Sequence, residues 1–274
     1  MATQSRPLQR GSHPVAGLSL RVDIPERLLL GTVGFVVVIV AWQAVVDLGL
    51  VNPLLVSSPT AVLEAAIADA QSGVIWPQIG TSLAEWTGGF VLALVLGIPF
   101  GFIVGLFRRL ELLLDPLLSA LYATPMVALA PMIILVFGVD LPAKIFTVFV
   151  FAFLPTVINT ITGAKSAEQR HLEIARSFGA SRSLVLRSVT IPSSVPYILT
   201  GVRIAAGHAL VGMVVAEFLA ANAGIGFYIS FNGTLLHSDR VMLGVVLIGI
   251  FGVFVGEIVR RLEHHFDNWR PAIH

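Results

Sequence analysis

EIARSFGASRSLVLRSVTIP, residues 173–192, sets three arginines and a glutamate inside a chain that is otherwise strongly apolar. Just upstream, Ser166-Ala167-Glu168-Gln169 has the spacing of a capping box, which opens a helix by pairing its first free N–H groups. Leu172, Ala175 and Phe178 follow at helical spacing, with Ile174 beside them. Gly179 then predicts a stop, because glycine takes the left-handed backbone conformation common just past a helix end. Ser181 is placed to cap a second helix carrying Leu184, Val185, Leu186 and Val189. Pro192, lacking an N–H, is expected to end that helix, and Pro196 to open the next apolar run. The product is a helix–turn–helix knob.

The surroundings of the knob follow from composition. The chain has 274 residues, of which 56% are hydrophobic and 12% charged. Soluble domains carry about 25% charge, so the deficit points to lipid. Apolar runs long enough to cross a bilayer fall at about 28–48, 83–107, 112–137, 141–163, 197–221 and 241–261; each needs about 20 residues. The fold class expected is an all-α membrane protein of six spans. The first run is too long for the apolar core of a signal peptide and has no A-x-A site at its end, so it is read as a retained span.

Positive charge orients the spans, because cytoplasmic loops are enriched in Lys and Arg. With the N-terminus inside, fourteen of the 17 basic residues are cytoplasmic. They are Arg6, Arg10, Arg21 and Arg27; Arg108 and Arg109; Lys165, Arg170, Arg176, Arg182 and Arg187; Arg260, Arg261 and Arg270. Lys144 and Arg240 fall at outer ends, and Arg203 can snorkel from the fifth span to the inner surface. The N-in, C-in arrangement places residues 165–192 in the cytoplasm, between spans four and five. Residues 1–27 form a polar cytoplasmic tail, 28–261 the membrane domain and 262–274 a cytoplasmic C-terminal tail.

The largest outer segment is 49–82. Ser58 and Pro59 predict the cap and first position of a short helix there, with Leu63 and Ile67 on one face. Trp76 and Trp86 are expected as interfacial anchors of the second span. Gly97, Gly101 and Gly105 recur every four residues, a face that lets another helix come close. Pro99, Pro125, Pro131 and Pro155 are expected to interrupt spans two to four, which membrane helices tolerate where the freed backbone is buried in protein or lines a cavity. Together these features favour a bundle around a pathway.

Two short helices cannot bury both apolar faces alone. From pattern alone the knob suits docking into a partner's groove, contact with anionic headgroups, or a plain structural loop. Its residues then carry a resemblance. Glu173-x-Ala175, Gly179 six residues after the glutamate, and Val189-x-Ile191-Pro192 resemble the EAA loop of ABC-importer permeases. Ile174, where alanine is usual, and Val189 and Ile191 depart from the pattern. The resemblance continues through Gly201-Val202-Arg203-Ile204-Ala205 and Val215-Ala216-Glu217-Phe218-Leu219. Pro125-Met126-Val127-Ala128-Leu129-Ala130-Pro131 is similar to the nitrate/sulfonate/taurine branch.

The resemblance implies a permease of the bacterial inner membrane that works as a pair, usually a homodimer. It implies a cytoplasmic ABC ATPase dimer, an external solute-binding protein, and ATP with Mg on the ATPase rather than on this chain. Glu173, Ala175, Gly179, Val189, Ile191 and Pro192 would then couple to the ATPase, Glu173 by meeting a basic side chain there. The chain itself would be no enzyme and would bind no cofactor.

Other chemistry finds little support. There is no cysteine, and neither Lys144 nor Lys165 follows a glycine, so no P-loop exists. The net charge of +1 gives no global field for nucleic acid. His264 and His265 are neighbours on a helix and point apart, which disfavours a metal site. Asn232-Gly233-Thr234 is a glycosylation sequon expected to be a turn. His208 lies roughly 18 Å beyond Pro196, a depth at which a polar group faces a cavity or a partner. It is therefore either a neutral imidazole bonded to another span or a pathway residue. Pro125, Met126 and Glu217 are the other pathway candidates, although Glu217 can also pair with Lys144 or cap backbone. Met126 replaces a residue that is basic in several relatives, which leans away from a strongly anionic solute. The alternatives are an ion-coupled secondary transporter, with Glu85 and Glu217 as its weak carboxylates, and an intramembrane enzyme lacking any evident partner for its histidine.

Overall fold

The computed structural model describes residues 24–52, 54–167, 173–175, 177–219 and 222–265. Ten α-helices are defined among them: α1 (Ile24–Asp47), α2 (Pro59–Gln71), α3 (Ile75–Leu106), α4 (Arg108–Ala123), α5 (Ala130–Phe137), α6 (Leu141–Lys165), α7 (Arg182–Val185), α8 (Ile191–Leu219), α9 (Ile225–Thr234) and α10 (Ser238–His265). No strand occurs among the described residues. Five helices are long and apolar enough to cross a membrane, and α4 with residues 126–137 makes a sixth candidate bent by 89°. The chain is an all-α, multi-pass membrane protein.

The bend has a local cause. Pro125 donates no hydrogen bond and holds the residue before it extended; Thr124 accordingly has ψ 128° and ends α4. The chain restarts through a 3-10 turn, Met126–Leu129, and enters α5 with Pro131 in its first turn. Pro99 and Pro155, expected to interrupt their spans, lie inside unbroken helices. Close packing against neighbouring helices supports them there, and side chains bond carbonyls beside Pro155: Thr156 Oγ1 donates to Ala152 O and Asn159 Nδ2 to Pro155 O, each at 2.8 Å.

Helix α6 is the axis of the bundle, packed between α3 and α8. Apolar attraction between helices is absent in hydrocarbon, so close approach of small residues takes its place. The α3 glycines provide it: a Cβ on Gly101 would sit 2.7 Å from Val157 O, and one on Gly105 2.7 Å from the Ala164 Cβ. Ala93, Ala152, Ala205 and Ala209, all fully buried, continue the seam. Trp86 is no interfacial anchor: its indole donates to Ala206 O at 3.3 Å and stacks on Phe90 at 4.7 Å. Trp76, at the start of α3, is exposed and donates to Ala70 O.

Ser58 caps α2 as expected, accepting from the Ala61 N–H. The face that packs inward is Val62, Ala65 and Asp69; Leu63 and Ile67 point away and are exposed. Helix α9 had no counterpart in the sequence reading. It includes Asn232, whose buried amide donates to Tyr228 O at 2.8 Å, so the sequon is helical rather than a turn. Helix α1 is strongly apolar and is tied to the rest near its C-terminal end, where Trp42 Nε1 donates to Ser57 O.

The largest correction falls on the opening stretch. Pro192 does not end the second helix, and Pro196 does not open the next span. Helix α7 passes through a π-helical turn, Leu186–Thr190, straight into α8. In the wider turn the Ile191 N–H reaches back to Leu186 O, and this π turn carries the helix past Pro192, which has no N–H to continue the ladder. Ser194 Oγ donates to Ile191 O at 2.7 Å, and Ser166 Oγ to Ser193 O at 2.9 Å, so hydroxyls serve carbonyls around the proline. The segment from Arg182 to Leu219 is one 38-residue rod.

Candidate functional site

Three regions gather the polar groups. The first is the bend. Tyr122, Thr124 and Met126 from the break, Pro155 from α6, and His208 and Val211 from α8 line a cavity of about 400 Å³. Thus Met126 and His208, 82 positions apart in sequence, meet at one cavity, while Pro125 is exposed at the break itself. His208 does not bond another span: its Nδ1 lies 3.0 Å from Ile204 O on its own helix. A carbonyl only accepts, so Nδ1 carries the hydrogen and Nε2 remains for the cavity.

The second region is a buried ionic cluster near the start of α3, the start of α6 and the end of α8. Lys144 Nζ donates to Glu85 Oε1 at 2.8 Å, rather than to Glu217. Glu85 is fully buried, and its Oε2 has no hydrogen-bond donor among the described residues. Glu217, 1% exposed, accepts from Ser82 Oγ at 2.5 Å and from the Gly226 N–H at 2.6 Å. Ser82 Oγ in turn accepts the Ile225 N–H. The carboxylate therefore caps the start of α9, and only glycine fits opposite it: a Cβ on Gly224, which has φ +122°, would lie 2.2 Å from Glu217 Oε1. Glu217 also borders a separate cavity of about 370 Å³ beneath α9. Nearby, Arg240 and the Tyr228 hydroxyl both donate to Asp69, while Arg203 pairs with Glu263 at 3.4 Å toward the other end of the bundle.

Burial alone would raise the Asp69 carboxyl, but the bonds from Arg240 and Tyr228 outweigh it and hold the group below its ordinary value. Burial first, then Asp69, raises the Tyr228 phenol. A lowered carboxyl contributes stability that is complete above its unfolded pKa of about 3.9 and is lost as pH falls through the folded value. Asp69→Asn is thus expected to cost about 1–3 kcal/mol at neutral pH, with the gap to the unmodified chain closing below about pH 3.9. Thermal unfolding of both proteins between neutral and acid pH measures this; a gap that widens on acidification contradicts it.

The third region is the 173–192 segment. Gly179 has φ +73°, as expected of a helix stop, and the Ala180 N–H returns to Ala175 O at 3.0 Å, a Schellman closure. Ser181 caps α7 through the Leu184 N–H at 3.3 Å. Glu173, Gly179 and Ile191 are exposed, and Ala175, Val189 and Pro192 are half-buried. Phe178 is 87% exposed and Leu184 54%, so the tip offers apolar surface to whatever meets it. Of the capping box, Ser166 instead closes α6, donating to Gly163 O; Glu168, Gln169 and Leu172 lie outside the described residues.

A membrane-spanning helical bundle with a broken span, a polar pocket at the break and a protruding capped knob is the build of a solute permease. Residues 97–268 match the family described as binding-protein-dependent transport system inner membrane component, and the chain belongs to that family. It is 31% identical to the taurine transport system permease protein of Escherichia coli, over 93% of this chain and 95% of that one. It is 30% identical to the bicarbonate transport system permease protein of Synechococcus elongatus, over 96% and 98%. These relatives place it in the nitrate/sulfonate/taurine branch of ABC-importer permeases. Among solved structures, an inward-facing methionine ABC transporter matches at 19% identity and TM-score 0.54, covering 69% of this chain and 97% of that one. An amino acid ABC transporter matches at 11% identity and TM-score 0.54, covering 73% and 97%. Both share the fold. The protein is an inner-membrane permease subunit of an ATP-driven importer.

The sequence reading missed Tyr122, Thr124 and Ser82 and gave Glu85 no partner. A signal for the first pair existed: Tyr122-Ala123-Thr124-Pro125 is a polar break in an apolar run. None existed for Ser82, which only the fold brings to Glu217.

Proposed function

We propose that two copies of this chain form the translocation pathway for a small solute handed over by an external binding protein, and that Glu173–Pro192 couples the pathway to a separate ATPase dimer that binds ATP and Mg. The observation that carries the coupling is the continuous rod from α7 into α8. A push on the tip, delivered where Phe178 and Leu184 are bare, is transmitted along a helix whose far end carries His208 and Glu217. Glu173 is exposed beside that tip and suits a basic partner. The relatives named for taurine and bicarbonate support a small solute, and their family supports ATPase and binding-protein partners.

Coupling of this kind requires the knob to lie inside. Because the sequence has no cysteine, single thiols can be introduced cleanly. Ser72→Cys and Ser183→Cys both fall on exposed positions. The first is expected to react with an impermeant thiol reagent in intact cells, the second only after the membrane is opened. Labelling of Ser183→Cys is further expected to fall when ATPase subunits are bound. The opposite sidedness, or labelling indifferent to the ATPase, would overturn the coupling role.

A further inference from the structure

The cavity at the bend deepens the proposed function, and any ligand assigned to it rests on that function. We propose that the cavity between the Thr124–Met126 break and His208 receives an uncharged organic solute that donates hydrogen bonds, and that it disfavours an oxyanion.

Most polar hydrogens in the lining are already committed. Thr124 Oγ1 spends its hydrogen on Ala120 O at 2.9 Å, leaving lone pairs for the cavity. His208 spends its Nδ1 hydrogen on Ile204 O, and in that tautomer Nε2 is the acceptor left for the cavity. Met126 adds a thioether sulfur, a weak acceptor. Tyr122 supplies a hydroxyl that can donate. No Lys or Arg is among the described residues that line the cavity, and the remainder, Pro155 and Val211 among them, is apolar.

An oxyanion entering this space would give up water for a wall of acceptors and one hydroxyl. Burying a charge without donors is costly, and lone pairs facing its oxygens repel it. A solute with N–H or O–H groups meets the complementary pattern: donors toward Thr124 and His208, an apolar body toward Pro155 and Val211. Sites built on paired donors and acceptors reject analogues that leave them unpaired far better than apolar pockets reject isosteres. Taurine and bicarbonate, after which relatives are named, carry acidic oxygens that this lining does not serve.

The test uses the full permease, purified with its ATPase subunits in lipid, carrying a single Val211→Cys thiol in the cavity wall. Alkylation by a small water-soluble thiol reagent is followed with two probes of matched ring size. 2-Aminopyrimidine is uncharged and carries N–H donors; benzenesulfonate carries an anion with acceptors only. The expected result is that 2-aminopyrimidine slows alkylation while benzenesulfonate does not, and that His208→Leu weakens the protection by about fivefold, the loss of one hydrogen bond. Met126→Arg, which adds a cation, is expected to let benzenesulfonate protect. Equal or better protection by benzenesulfonate in the unmodified cavity, or protection by neither probe, overturns the assignment. If the thiol never reacts, with or without ATP, the cavity is closed to water and the pathway reading fails instead.

Discussion

Gly179→Val is expected to leave the permease in the membrane and to cut ATP-driven uptake by about tenfold, because the β-branched residue is strained at the left-handed conformation by about 1–2 kcal/mol. Gly179 has φ +73°, and no atom of the described residues lies within 4 Å of a Cβ built there. The effect is therefore a backbone effect, free of steric clash. The valine relaxes by leaving positive φ, which breaks the Ala180-to-Ala175 closure and changes the angle between the helical residues before Gly179 and α7. Since α7 continues into α8, the mis-set angle appears at the tip and not in the spans. Gly179→Asn supplies the control, because asparagine accepts the left-handed region. It is expected to restore most of the uptake. The measurements are uptake of the system's solute in cells and ATP hydrolysis stimulated by loaded binding protein. Full uptake by Gly179→Val would remove the coupling role from this turn.

The second large effect concerns stability. Lys144→Met is expected to destabilise the permease by about 3–5 kcal/mol, the cost of stranding a buried charge. Glu85 has a fully buried side chain, and Lys144 is 8% exposed on its side chain. Removing the ammonium leaves the Glu85 carboxylate unpaired among α3, α6 and α8. Lys144→Met combined with Glu85→Gln removes both charges and is expected to recover most of the loss, since a buried ion pair is worth little against uncharged groups of similar volume. Thermal unfolding of the purified single and double variants decides it. A single variant as stable as the unmodified chain, or a double variant no better than the single, would show that the pair does not hold these helices together.

Much of the molecule was legible because its signals are local. Apolar runs long enough to span a bilayer can hardly be anything else, and the glycine ladder of α3 does bring α6 close. The Ser58 and Ser181 caps and the Gly179 stop depend on neighbours within a turn, and each was found where the sequence put it. The misreadings share a different cause. Pro192 and Pro196 look like breaks until the π turn before them and the serine hydroxyls around them are seen. Trp86 resembles an interfacial anchor because its sequence position says nothing of Ala206 and Phe251, which receive its ring.

The helical class, the number of apolar runs, the bend at Thr124-Pro125 and the capped turn at Gly179 each follow from a local run of residues and its own hydrogen-bonding needs. Which carboxylate Lys144 neutralises, the capping of α9 by Glu217, and the meeting of Met126 and His208 at one cavity emerge once the helices are packed. Those pairings join residues from 9 to 82 positions apart, and no periodicity encodes them. They arise because a charge or a polar atom kept from water takes whatever partner the packed helices bring within reach.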